Sequence, residues 1–203
     1  AALSAPATPT GDAVDRYGTV EIPDPYRWLE ADIRSSPDVR AWVEKQNRHA
    51  RSVLDNIPQR DRVFRHVDGL ANIEQVGAPF VAGKLQFFTR RGVGEEQTSY
   101  WVREGATGTA RKLIDPAAWS PDGSAAMAAV VPHRSGRYVA YAVQEAGADW
   151  RTWHIIDVET GRVLDDRIRW NKFSDISWDL EGKGFYYTRF PEPPPGEEYR
   201  AGN

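Results

Sequence analysis

The feature that most constrains what this chain can become is a short glycine-led hairpin written three times. Its first half reads Gly83-Lys84-Leu85-Gln86-Phe87-Phe88, then Gly136-Arg137-Tyr138-Val139-Ala140-Tyr141, then Gly182-Lys183-Gly184-Phe185-Tyr186-Tyr187. Each glycine supplies a turn, a basic residue follows, and a strand of aromatic or β-branched residues begins, the composition of a pleated, half-buried surface. Downstream segments keep step: Tyr100-Trp101-Val102-Arg103 answers Trp153-His154-Ile155-Ile156, and Lys112-Leu113-Ile114-Asp115 answers Arg162-Val163-Leu164-Asp165. A period of roughly 45 to 50 residues with no helix inside it is the mark of a β-propeller blade.

The blades do not begin at once. Residues 1 to about 20 read as a flexible lead. The prolines of Ile22-Pro23-Asp24-Pro25-Tyr26-Arg27-Trp28-Leu29-Glu30 then fix an extended approach, with Tyr26, Trp28 and Leu29 as an apolar payload that should dock rigidly. Ser36-Pro37 is a helix start, and Val39, Trp42, Val43, Ala50, Val53, Leu54 and Ile57 follow at helical spacing, which predicts a helix over 37–56 stopped by Pro58. A second helical pattern, Val63, Phe64, Val67, Leu70 and Ala71, covers 59–72.

From Val76 onward the period becomes alternating. One blade is expected from 79–82, 85–89, 98–103 and 112–114, with glycines in its connections. The turn Trp119-Ser120-Pro121-Asp122-Gly123 leads to a second blade near 127–131, 137–143, 152–158 and 162–165. A third starts at Phe173–Trp178 and returns through Phe185–Phe190, and Pro191-Glu192-Pro193-Pro194-Pro195-Gly196 follows as a connector. Closed propellers need at least four blades and about two and a half are written here, so the chain is expected to be a piece of a longer polypeptide.

Composition narrows the chemistry. The net charge of −3 is spread over both signs, which disfavours a nucleic-acid partner. No apolar run approaches bilayer length, so no membrane partner is expected. The chain has no cysteine, which removes disulfides, thiolate metal sites and thiol nucleophiles. The small-residue opening Ala1-Ala2-Leu3-Ser4-Ala5-Pro6 reads either as the stub of a cleaved secretory signal, implying a periplasmic or secreted protein, or as a trimmed or disordered end of a cytoplasmic one.

No Gly-x-Ser-x-Gly elbow, His-Glu-x-x-His pair or phosphate-binding glycine loop is present. His49 and His66 fall on helices, His133 in a turn and His154 in a strand, none at a spacing that argues for a triad, so structural roles are expected. Glu95-Glu96 and Glu197-Glu198 read as solvated turns rather than metal sites, and no metal or cofactor is expected. Two stretches carry more weight. Gly147-Ala148-Asp149-Trp150 puts a carboxylate and an indole in a loop at one end of a blade, where Asp149 either satisfies its own turn or faces a channel or cap. Trp170-Asn171-Lys172-Phe173-Ser174 puts an aromatic at the entry of a strand, either packing between blades or exposed for binding.

Several separate stretches together resemble the amino-terminal part of the prolyl oligopeptidase family. They are Asp24-Pro25-Tyr26-Arg27-Trp28-Leu29-Glu30, Trp42-Val43-Glu44-Lys45-Gln46-Asn47, Leu113-Ile114-Asp115-Pro116, Gly147-Ala148-Asp149-Trp150 and Lys172-Phe173-Ser174, followed by Gly182-Lys183-Gly184-Phe185-Tyr186-Tyr187. The turn Pro132-His133-Arg134-Ser135-Gly136 departs from the acidic residues usual in that family. The resemblance implies a mixed fold. Residues 1–72 would be a helical segment of an α/β-hydrolase domain, and residues 73–203 the first blades of a seven-bladed β-propeller, incomplete in this chain.

It also implies a serine endopeptidase that cuts short proline-containing peptides after proline, working as a monomer without cofactor. The propeller would limit substrate size. No catalytic residue would lie in this chain; the serine, aspartate and histidine would follow residue 203 in a C-terminal hydrolase domain of the same polypeptide. The implied substrate-binding residues are Phe173, lining an apolar subsite upstream of proline, and Asp149, pairing with an arginine that holds a substrate carbonyl. Two rivals are an oligopeptidase cutting after lysine or arginine, which shares the Trp28-Leu29-Glu30 region, and a non-catalytic propeller used as an interaction platform.

Overall fold

The computed structural model describes residues 4–197. Residues 1–3 of the small-residue opening and Glu198 of the second carboxylate pair lie outside the described residues. The chain divides into two compact units, Ala1–Ala71 and Asn72–Asn203.

The first unit opens with an antiparallel hairpin, β1 (Val14–Tyr17) and β2 (Val20–Pro23), and continues through a single 3₁₀ turn at Arg27–Glu30. Two helices complete it, α1 (Pro37–Leu54) and α2 (Arg60–Ala71). The Ser36 hydroxyl accepts the Val39 N–H and Pro37 stands in the first turn, so α1 starts where the local chemistry dictates. The flexible lead is a correction. Besides the hairpin, the Trp28 indole donates to the Pro9 carbonyl at 3.0 Å, the Trp42 indole to the Thr8 hydroxyl at 3.1 Å and the Gln46 amide to the Pro6 carbonyl at 3.1 Å. Two indoles and an amide on the 3₁₀ turn and α1 need acceptors, and the lead is held because it supplies them. Arg27 joins the elements by pairing with both Asp15 and Asp24.

Among the described residues the second unit is antiparallel sheet apart from a 3₁₀ turn at Pro116–Ala118, and its sheets do not close on themselves. The first sheet holds β3 (Gln75–Val76), β4 (Phe80–Ala82), β5 (Leu85–Arg91), β6 (Ser99–Glu104) and β7 (Arg111–Ile114), with β3 and β4 both pairing to β5. The second holds β8 (Ala125–Pro132), β9 (Tyr138–Glu145), β10 (Arg151–Asp157) and β11 (Val163–Asn171), in the spatial order β8-β9-β10-β11. A last hairpin pairs β12 (Ser177–Trp178) with β13 (Phe185–Tyr186). Two expectations change. β11 runs on to Asn171, so Trp170 ends a strand rather than entering one, and residues 173–176 are not strand. Trp170 at φ 61° lies where the β10–β11 register shifts, a bulge that the ladder crosses to pair Asn171 with Arg151, and Phe173 at φ 56° turns the chain away beyond the strand's end.

Alternation along β9 and β10 builds the core on both faces of the second sheet. Val139, Tyr141 and Ile156 pack with Phe87, Tyr100, Val102 and Ile114 of the first sheet. Ala140, Ala142, Trp153 and Ile155 face the other way, against Ile176 and, from the last hairpin, Trp178 and Phe185. The sheets therefore stack face to face as successive blades do. The repeated glycines mark where successive turns touch. A Cβ on Gly136 would sit 2.7 Å from the Ala82 carbonyl oxygen, and one on Gly182 would sit 2.8 Å from the His133 ring. His133, in the turn before Gly136 as the sequence places it, is only 3% exposed, because the last hairpin closes over it.

Candidate functional site

β10 and β11 run antiparallel with Arg151 opposite Asn171, so the residues before Arg151 and after Asn171 emerge at the same end of the second sheet. This register brings the two sequence-nominated stretches together. On one side the chain turns through Ala146 (φ 50°) and Gly147 (φ 71°) to reach an exposed Asp149. On the other, Asn171 and Lys172 are drawn inward while Phe173 projects outward, 72% exposed.

Asn171 organises the second side. It is fully buried, its side-chain oxygen accepts the Trp153 indole N–H at 3.0 Å, and its amide donates to the Ser174 hydroxyl at 2.8 Å and the Thr188 carbonyl at 2.7 Å. The Ser174 and Thr188 hydroxyls meet at 2.6 Å, and the Phe190 N–H reaches the Trp170 carbonyl at 2.8 Å. A network with its polar atoms satisfied can hold an unfavourable backbone, and here it holds left-handed aromatics at Trp170 and Phe173.

Trp150, beside Asp149, stands edge-on to Trp170 at 5.5 Å and to Phe190 at 5.7 Å. Over these rings lies the Lys172 ammonium, 4.7 Å from Trp150, 5.3 Å from Phe190 and 5.5 Å from Phe173. Residue composition alone does not single out this lysine. Its placement depends on Phe190, nearly twenty positions downstream, and a lysine before an exposed aromatic ordinarily reads as a solvated charge. Arg151 and Asp175 approach to 3.7 Å on the same end.

Three grooves have other linings. One of about 540 Å³ lies in the first unit beside Trp28 and Trp42, one of about 480 Å³ borders His133 and Trp178, and one of about 410 Å³ borders Glu95 and Asp122. No group of acidic residues or histidines among the described residues is arranged to hold a metal ion. Asp149 and Phe173 each stand two residues beyond the paired positions Arg151 and Asn171, an exposed carboxylate and an exposed aromatic ring at one end of the second sheet.

The family model for the prolyl oligopeptidase N-terminal β-propeller domain matches residues 6–202. The chain belongs to this family. Among its relatives is the prolyl endopeptidase of Elizabethkingia meningoseptica, 34% identical over 194 residues, which cover 96% of this chain and 27% of that protein. A solved structure from a mechanistic study of two prolyl endopeptidases, concerned with inter-domain dynamics in catalysis and specificity, superposes with a TM-score of 0.84. It is 33% identical and the match covers 95% of this chain and 28% of the other. Prolyl oligopeptidase B of Galerina marginata, solved with a 35mer hydrolysis and macrocyclization substrate, superposes at 0.78 with 25% identity, over 97% of this chain and 30% of that one. The chain thus spans between a quarter and a third of the length of these proteins.

Proposed function

We propose that this chain is the N-terminal portion of a prolyl oligopeptidase, a serine endopeptidase that cleaves short peptides on the C-terminal side of proline. The first unit is then the part of the N-terminal segment that joins an α/β-hydrolase domain, and the second unit begins a seven-bladed propeller. The observation that carries the reading is the exposed Phe173, held in a left-handed backbone at the same sheet end as the exposed Asp149. A large apolar ring kept outward against its backbone preference supports a binding role rather than a core one.

In this reading the catalytic serine, aspartate and histidine come from the C-terminal part of the polypeptide. Serine attacks the carbonyl that follows proline, histidine takes its proton and returns it to the leaving amine, and an oxyanion hole holds the tetrahedral intermediate. Phe173 supplies the apolar wall for a residue upstream of proline. Asp149 pairs with an arginine of the hydrolase domain and so orients the group that holds a substrate carbonyl. The propeller excludes folded proteins, and movement near residues 72–77 admits peptides.

The test uses the complete polypeptide. Proline-ended and arginine-ended chromogenic peptides are compared, and a serine-directed phosphonate is applied. Cleavage confined to the proline peptide, with one labelled serine, is expected. Preference for the arginine peptide would identify the basic-residue oligopeptidase instead, and absence of both label and cleavage would leave a non-catalytic propeller.

A further inference from the structure

The residue between the buried Asn171 and the exposed Phe173 is a lysine, and it is 7% exposed. Removing an ammonium from water is costly, so a lysine is drawn inside only where its surroundings compensate it. Here the faces of Trp150, Phe173 and Phe190 approach it at 4.7, 5.5 and 5.3 Å, within the range where ring quadrupoles attract a cation. Those rings come from three places in the chain. Trp150 adjoins Asp149, Phe173 is the outward ring itself, and Phe190 follows the last hairpin.

The backbone makes the same point. Trp170 and Phe173 both have positive φ, a conformation that aromatic residues avoid. Between them Asn171 and Lys172 turn inward, the first to its hydrogen bonds and the second to its rings. The chain is thus pinned at two consecutive positions, and the strain on either side presents Phe173 outward.

We propose that Lys172 is a positioning residue: its buried ammonium, seated among Trp150, Phe173 and Phe190, sets the orientation of the Phe173 ring and ties it to the loop that carries Asp149. The proposal rests on the functional reading above for what Phe173 binds, but its geometric content stands on the chain alone. It follows that Lys172 acts on recognition of the residue upstream of proline and not on bond cleavage.

The experiment pairs K172M, which keeps the apolar stem and removes the charge, with K172R, which keeps a cation. Both are made in the complete polypeptide. Two chromogenic substrates are used, one with an apolar residue two positions before proline and one truncated to proline behind a small blocking group. K172M is expected to lower kcat/KM for the longer substrate about tenfold, chiefly through KM, and to change the truncated substrate less than about twofold. K172R is expected to recover most of the loss. Equal losses on both substrates, or no loss on either, overturn the proposal.

If the unaltered protein cleaves neither prolyl substrate, the functional reading fails and the positioning role is decided by proteolysis. Chymotryptic cleavage after Phe173 is measured against cleavage after the exposed Tyr17 by mass spectrometry. That ratio is expected to rise about tenfold in K172M and to return toward the starting value in K172R, and an unchanged ratio overturns the proposal. Should K172M not fold, F190L removes one ring from above the ammonium while keeping apolar volume, and the same directions are expected.

Discussion

The Trp153 indole donates its N–H to the Asn171 side chain at 3.0 Å, and both residues are completely buried. The bond crosses from β10, in the core, to the last residue of β11, from which the site emerges. Replacing Asn171 with alanine strands the indole N–H and the Thr188 carbonyl and frees the Ser174 hydroxyl. A loss of about 3 kcal/mol is expected in urea melts, since each unsatisfied buried polar group costs roughly 1–3 kcal/mol. A loss below about 0.5 kcal/mol would mean that the network does not hold the β11 terminus.

Two glycines in similar backbone conformations should respond differently to alanine. Gly136 (φ 77°) would place a Cβ 2.7 Å from the Ala82 carbonyl oxygen, whereas Gly161 (φ 70°) has nothing within 4 Å of that position. G161A should cost only the left-handed backbone penalty, about 1–2 kcal/mol. G136A should cost about 2 kcal/mol more, because two backbone segments of adjacent sheets must separate. Equal denaturation midpoints for the two variants would remove the turn-to-turn contact from the account of how the sheets stack.

His154 gives a pH dependence with a definite sign. Burial pushes its imidazole below the ordinary value of 6.5, and Arg167, its cross-strand partner in the ladder, adds to the shift. The folded state therefore prefers the neutral ring. Its contribution is fully present above about pH 6.5 and is lost as pH falls through the lowered folded value. Denaturation at pH 7.5 and 5.5 should show a smaller acid loss in H154F, which keeps an aromatic against Tyr141. An acid loss identical to that of the unaltered protein would assign the effect to other groups.

Phe173 and Asp149 should separate binding from stability. F173A removes a mostly exposed ring and is expected to change stability by less than about 0.5 kcal/mol while raising KM for peptides. F173G should be more stable than F173A by about 1 kcal/mol, since glycine accepts φ 56° without strain. D149A should lower turnover with the melting temperature unchanged. A drop of several degrees in F173A or D149A would return that residue to a structural role.

Much of the architecture was legible because its signals are local. A glycine turn, a basic residue and alternating apolar positions announce a hairpin within a dozen residues, and repetition of that unit in register announces stacked sheets. Ser36-Pro37 announced α1 in the same way. The meaning of 1–20 was not legible, because the lead is ordered by Trp28, Trp42 and Gln46, far along the chain. The third hairpin was overdrawn because apolar alternation from Phe173 to Trp178 resembles a strand, and only the backbone geometry shows the interruption.

The sequence by itself determined the blade pattern, the positions of its turns and the nomination of Asp149 and Phe173, all of which follow from spacing or from resemblance along the chain. The tertiary structure decided that these two share one sheet end, that Asn171 is a buried hub and that Lys172 lies among aromatic rings. The physical reason is that burial and orientation belong to sets of residues distant in sequence: no local pattern tells a lysine whether three rings will close over it.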